Sequence, residues 1–169
     1  IDSYQGTFYG SYDAEPYYVD GSFSFGWNTY DASRSIVFPG VSRTADSDYD
    51  GQQYDGKIGV GYNIANGGFK ITPMASLEYI HLALDSYTET EAGDLNLHVD
   101  SQGYDVLQSG LGAKVAYPTS DANGTFVPEI HAKWLYDFIG DKQQTTSTFT
   151  GGGASFVTNG FSPAQHSFD

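Results

Sequence analysis

Asp46-Ser47-Asp48-Tyr49-Asp50-Gly51 sets carboxylates at alternate positions and ends on a glycine, which is the first half of a calcium loop. Asp46, Asp48 and Asp50 are therefore the metal candidates of this chain. The position that should hold a bidentate glutamate is Lys57, and no flanking helices are predicted. The competing reading is an acidic surface loop that runs into a strand, and the residues favour it. His81, His98, His131 and His166 have no metal-ligand spacing, and the chain has no cysteine for a thiolate site or a disulfide. No Gly-x-Ser-x-Gly nucleophile elbow exists. His98 lies beside the acidic stretch 83–103, but nothing specifies a serine or aspartate partner for a hydrolase at that place. Asn123-Gly124-Thr125 fits a glycosylation sequon and reads better as hairpin chemistry. The expectation is no enzyme, no cofactor and no bound metal.

Seven basic residues stand against 21 acidic ones, a net charge of −14. Nothing here neutralises a row of phosphates, so nucleic acid is excluded as a partner. The few cations have a pattern of their own. Lys57, Lys70, Lys114 and Lys133 all fall in the polar phase of a segment that alternates polar and apolar residues. That phase also carries Asp20, Asp55, Glu78, Glu129 and His131.

The elements that position these residues are strands. In Tyr17–Asn28 one face takes Tyr17, Val19, Gly21, Phe23, Phe25 and Trp27, and the other takes Asp20, Ser22, Ser24, Gly26 and Asn28. A period of two means a strand with different surroundings on its two sides. The pattern predicts six strands, at roughly 3–12, 17–30, 53–64, 69–82, 104–117 and 125–138. Long polar stretches at 31–52 and 83–103 alternate with short turns, and 139–169 reads as the start of a third long loop. Two antiparallel classes accommodate the alternation. One is a soluble extracellular β-sandwich that binds through its acidic loops, as an adhesion module does. The other is a transmembrane β-barrel, whose strands need only about 9–11 residues each.

Aromatic residues separate the two classes. Tyr12, Tyr17, Tyr62, Phe69, Tyr117 and Phe126 gather at the short-turn end of the apolar phase. Tyr4, Tyr54, Tyr79, Tyr104, Trp134, Tyr136 and Phe138 gather toward the other end. Paired girdles are what two membrane–water interfaces select. A lysine at the lipid midplane costs about 2–4 kcal/mol, so in a barrel the nine polar-phase residues face the lumen. With the last turn centred near residue 121, Lys114 stands opposite Glu129, and Asn63 stands opposite Lys70. Gly26, Gly59, Gly61, Gly110 and Gly112 are expected to keep the lumen open. Ile1-Asp2-Ser3 runs straight into strand pattern, and both termini look like cuts in a longer chain.

Several segments then resemble the middle strands of the autotransporter β-domain, in that family's order: Ser3-Tyr4-Gln5, Tyr9-Gly10-Ser11-Tyr12, Asp20-Gly21-Ser22, Ser47-Asp48-Tyr49-Asp50-Gly51, Thr72 to Tyr79, Leu107 to Gly112, and Pro128-Glu129 with Trp134. The resemblance implies an antiparallel transmembrane β-barrel in the outer membrane of a Gram-negative bacterium, here about six strands of twelve. It implies the translocator of type V secretion, which anchors and exports its own N-terminal passenger. The implied partners are outer-membrane lipid and lipopolysaccharide, the passenger with its linker helix, and the barrel-assembly machinery.

Overall fold

The structure, a computed structural model, describes residues 1–121, 124–140 and 142–169. Ala122, Asn123 and Asp141 lie outside the described residues, and with them the centre of the 118–124 turn and the Asn123 sequon.

The chain is an antiparallel meander. Its strands are β1 (Asp2–Ala14), β2 (Tyr17–Phe38), β3 (Val41–Tyr62), β4 (Ile64–Asn66), β5 (Phe69–Leu84), β6 (Tyr87–Thr88), β7 (Leu97–Val99), β8 (Gln102–Ala116), β9 (Thr119–Asp121), β10 (Gly124–Phe126), β11 (Glu129–Asp137), β12 (Gln144–Phe149), β13 (Phe156–Asn159) and β14 (His166–Phe168). A one-turn 3₁₀ segment, Gly93–Leu95, interrupts the β6–β7 connection. The main sheet runs β1-β2-β3-β5-β8-β11-β14, with β4 continuing β3 against β5. It does not close on itself. A smaller sheet, β13-β12-β7-β6, stands over one end.

Three stretches expected as loops carry strand: 31–52, 139–169 and 83–103, the last holding β6 and β7. The polar stretch 31–52 is strand. β2 and β3 pair without a slip from Tyr17↔Tyr62 to Phe38↔Val41. They turn through Pro39-Gly40, where Gly40 takes a φ of +83° that suits glycine. Thr29, Tyr30, Ser35, Ile36 and Val37 favour extended backbone, but polar surroundings on both sides erase the hydropathy alternation that marks a strand. Residues 139–169 likewise contain β12, β13 and β14, which are poor in apolar alternation.

Register corrects two pairings. The β8–β11 hairpin sets Lys114 opposite His131, not Glu129, and Gly112 opposite Lys133. β9 and β10 keep the same register, with Asp121 opposite Gly124, so the hairpin is centred one residue later than expected and each partner shifts by two. Asn63 meets Thr72 rather than Lys70, with the Thr72 hydroxyl donating to Asn63 Oδ1 at 2.9 Å. Tyr104 pairs with Leu82 and falls in the polar phase, so it leaves the aromatic girdle.

No second sheet covers the apolar face of the wall among the described residues. Ile58 is 52% exposed, Leu77 45% and Leu111 54%, with Phe8 and Ile130 exposed further still. Shielding lies on the other face and at the end, where Thr72, Ala45, Ala92, Val99 and Glu89 are buried. This inverts a water-soluble sandwich, in which the apolar face is the dry one.

Candidate functional site

Hydrogen-bonded neighbours in an antiparallel sheet share a face, so register alone traces the polar surface. One row runs Tyr9, Ser22, Lys57, Glu78, Gln108, Asp137. The next runs Ser11, Asp20, Gly59, Ser76, Gly110, Leu135. Lower rows carry Lys114 with Thr72 and His131, and Lys70 with Ala116 and Glu129. Asp55 sits between Ser24 and Ile80, and Lys133 sits opposite Gly112. All nine residues of the polar phase therefore lie on one face.

Two ion pairs lie on that face. Lys57 Nζ stands 3.2 Å from Glu78 Oε2, and Lys114 Nζ stands 3.8 Å from Glu129 Oε2, reached diagonally across the ladder. Neighbouring side chains lie across several of the polar-phase glycines. A Cβ built on Gly61 would overlap the Tyr18 ring, and one on Gly110 would overlap the Lys133 side chain. On Gly59 it would lie 2.7 Å from the Asp20 carboxylate. These glycines make room for neighbouring side chains to lie flat on the sheet. Gly112 is tighter, because its Cβ would come 2.5 Å from the Ala132 carbonyl oxygen.

Above the wall, the far half of the β2–β3 hairpin and the connections form a packed rim. Tyr30 and Tyr49 stack at 5.0 Å, and Tyr87 stacks on Tyr49 at 4.3 Å. Arg34 grips Glu89 with both carboxylate oxygens engaged, Nε to Oε1 at 2.8 Å and Nη2 to Oε2 at 2.5 Å. Burial pushes the Glu89 carboxyl up, but the Arg34 hydrogen bonds, the Leu97 N–H and the Arg34 charge outweigh it, and the group sits below its ordinary range. The Glu89 hydrogen bond holds the Arg34 guanidinium above its own ordinary value. Sequence reading missed Arg34, Arg43, Glu89 and the three tyrosines. The available signal was that both arginines of the chain sit within one polar stretch.

Asp46, Asp48 and Asp50 occupy consecutive outward positions of β3, on the face of the hairpin away from Tyr49. A straight strand spaces alternate side chains about 6–7 Å apart and does not wrap them round an ion. Among the described residues no group of three or more His, Cys, Asp or Glu is placed to hold a metal. Asp48 stands opposite Asp31, and the hydrogen bond to that carboxyl, with the charge of both neighbours, holds it above the usual carboxylate range. His81 Nδ1 donates to the Asp105 carboxylate, 2.8 Å away on the apolar face near Tyr54. His98 bonds the Thr88 hydroxyl within the small sheet.

The family model that describes the autotransporter β-domain matches residues 1–169. Outer membrane protein B of Rickettsia japonica is 28% identical over 159 residues, covering 89% of this chain and 10% of that protein. The Rickettsia rickettsii protein of the same name is 34% identical over 105 residues, 61% of this chain and 6% of that one. Esterase EstA of Pseudomonas aeruginosa is 22% identical over 170 residues, 98% of this chain and 26% of the esterase. The chain thus spans a tenth or less of the Rickettsia proteins and about a quarter of the esterase.

Proposed function

Since the chain belongs to the autotransporter β-domain family, we propose that its polar face lines the wet lumen of a translocator through which the complete protein exports its passenger. The sheet is part of a transmembrane β-barrel wall in the outer membrane of a Gram-negative bacterium. The observation that carries the conduit reading is the inversion of exposure. Ile58, Leu77 and Leu111 are exposed on a continuous apolar face, while Lys57 and Glu78 pair on the opposite one. Hydrocarbon solvates the first and water the second, which is the only arrangement of solvents that makes both faces favourable.

In this reading Asp20, Asp55, Lys57, Lys70, Glu78, Lys114, Glu129, His131 and Lys133 form a mixed-charge lining. Charges of both signs hold water and offer a moving polypeptide no sticky apolar surface. The connections at 15–16 and 67–68 and the β9–β10 end of the sheet face the periplasm, and the rim with β12, β13 and the β2–β3 tip stands outside. The linker helix of the complete protein occupies the lumen, outer-membrane lipid and lipopolysaccharide surround the wall, and the barrel-assembly machinery inserts it.

The domain itself is non-enzymatic. An esterase among the relatives does not change that reading, because it matches this chain over 26% of its own length. Among the described residues, the polar face holds no nucleophile paired to a base. The test is export. Reversing the lining charges in the complete protein (Lys57→Glu with Lys133→Glu) should lower the surface display of the passenger while the barrel still inserts and keeps heat-modifiable gel mobility. Unchanged display would remove the conduit reading.

A further inference from the structure

Residues 85–101 connect β5 to β8, and they are not an idle loop. They lie on the side of the β2–β3 hairpin that continues the polar phase, since Tyr30↔Tyr49, Ala32↔Ser47 and Arg34↔Ala45 follow Asn28↔Gly51 without a break. The hairpin holds this segment from that side. Asp46 and Thr90 exchange backbone hydrogen bonds at 3.1 and 2.8 Å. Arg34 bridges the Glu89 carboxylate and the Leu95 carbonyl, and Arg43 donates to the Ala92 carbonyl at 2.6 Å. Glu89 and Ala92 are buried as a result. On its other flank β7 pairs with β12, so the segment reaches from the hairpin to the connection before β14.

The backbone between the two arginine contacts is strained. Glu91 takes a φ of +69°, a region that favours glycine, and Gly93 follows at +63°. A loop that only filled space would relax there. This one is held against its preference between two guanidinium groups of the β2–β3 hairpin and the residues after β12, where Thr150 and Gly151 donate to the Gly93, Asp94 and Asn96 carbonyls.

We propose that residues 85–101 form a strap that closes the outer opening of the conduit, latched to the β2–β3 hairpin by Arg34 and Arg43. The inference rests on the conduit reading above and adds a gate to it. Latched, the strap narrows the space beside Asn28 and Gly51. Released, it swings from its anchors at Leu84 and Gln102 and widens the exit for an emerging chain. Both arginines act on strap groups, and neither touches the passenger path.

No cysteine of this chain competes with an introduced thiol, which makes a direct test simple. Asn28→Cys places one thiol on the polar face beneath the strap. In cells carrying the complete protein, two membrane-impermeant reagents are compared, a small sulfonated methanethiosulfonate and a bulky polyethylene-glycol maleimide. The small reagent should label every form. Bulky labelling should be slow with native Arg34 and Arg43 and rise about tenfold or more in Arg34→Ala/Arg43→Ala, the scale on which losing charge-assisted bonds moves an opening equilibrium. Glu89→Gln, which keeps the side-chain volume, should raise it by a smaller factor, and it serves if the double variant does not insert. Equal bulky labelling in all inserted forms overturns the strap and leaves the conduit standing. Failure of the small reagent to reach the introduced thiol in any form overturns the conduit, and the strap with it.

Discussion

The two halves of the β2–β3 hairpin obey opposite rules. From Tyr17 to Asn28, and from Gly51 to Tyr62, large apolar side chains are exposed and polar ones are sheltered. From Tyr30 to Ile36, and from Arg43 to Tyr49, the buried groups are small or polar, as in an ordinary water-soluble sheet: Ala45 and Ser47 are dry, and Glu89 is dry above them. Yet the backbone is one continuous ladder. Two strands of 22 residues are about 70 Å long, far more than a hydrocarbon band of about 25 Å requires. The solvent changes partway along the hairpin, and the side chains change with it. Below the change, lipid supplies the apolar contact; above it, the protein must supply its own through the tyrosine stack and the strap.

The comparison is sharpest for a charge placed on each half. Ile58→Lys puts an ammonium near the centre of the apolar face and should cost about 2–4 kcal/mol in folding from urea into lipid vesicles. Val37→Lys, at the exposed hairpin tip, should stay within about 0.5 kcal/mol of the native value. Equal effects at the two positions would erase the distinction between wall and rim.

Next in size is close packing on the polar face. Gly112→Ala drives a Cβ against the Ala132 carbonyl and should cost about 1–3 kcal/mol in the same measurement. Gly6→Ala on β1 meets nothing within 4 Å and should be nearly silent. A silent Gly112→Ala would mean that β8 and β11 are not in the register described.

The rim should come apart without the wall. Glu89→Gln removes the charge from a buried acceptor of a half-exposed arginine, and should loosen the rim by about 1 kcal/mol once solvent screening is allowed for. Hydrogen exchange should quicken at the Thr90 and Leu97 amides and stay unchanged at those of Ile58 and Leu77. Acid should act alike. The Glu89 carboxyl is depressed in the folded protein, so its contribution is present above the ordinary carboxylate range and is lost as pH falls through the depressed value. Protection at Leu97 should therefore fall in that acidic window while the wall keeps its own.

The smallest effect has the opposite sign. Asp48 is raised by Asp31, so its charge disfavours the fold at neutral pH and its protonation relieves the hairpin's outer face. Asp48→Asn should slow rim exchange slightly at neutral pH and do nothing in acid. Faster exchange at neutral pH would show that the aspartates are held together by something other than their backbone.

This division also explains what the residues reveal by themselves. The phase of Phe23, Phe25, Ile58, Leu77 and Leu111 against Lys57, Lys114 and Lys133 is legible because two different solvents wet the two faces. The extension through Tyr30–Phe38 and Val41–Asp50 is not, since its inner face packs small and polar groups such as Ala45 and Ser47 and the alternation carries no hydropathy. Asp46, Asp48 and Asp50 resemble an ion-wrapping loop because their strand has no apolar partner phase. Tyr104 joins a girdle by residue type alone, whereas it shares the phase of Gln108, Gly110 and Lys114 and lies on the polar face. The Arg34–Glu89 grip spans 55 residues, and nothing local in either stretch announces the other.

The most direct test of the central claim is a spin-label scan of residues 54–62 in the complete protein, inserted in outer-membrane vesicles. The account predicts that positions 54, 56, 58, 60 and 62 collide with lipid-soluble oxygen, and that 55, 57, 59 and 61 collide with a water-soluble nickel complex. A scan with no alternation, or with oxygen favouring the lysine phase, would contradict it.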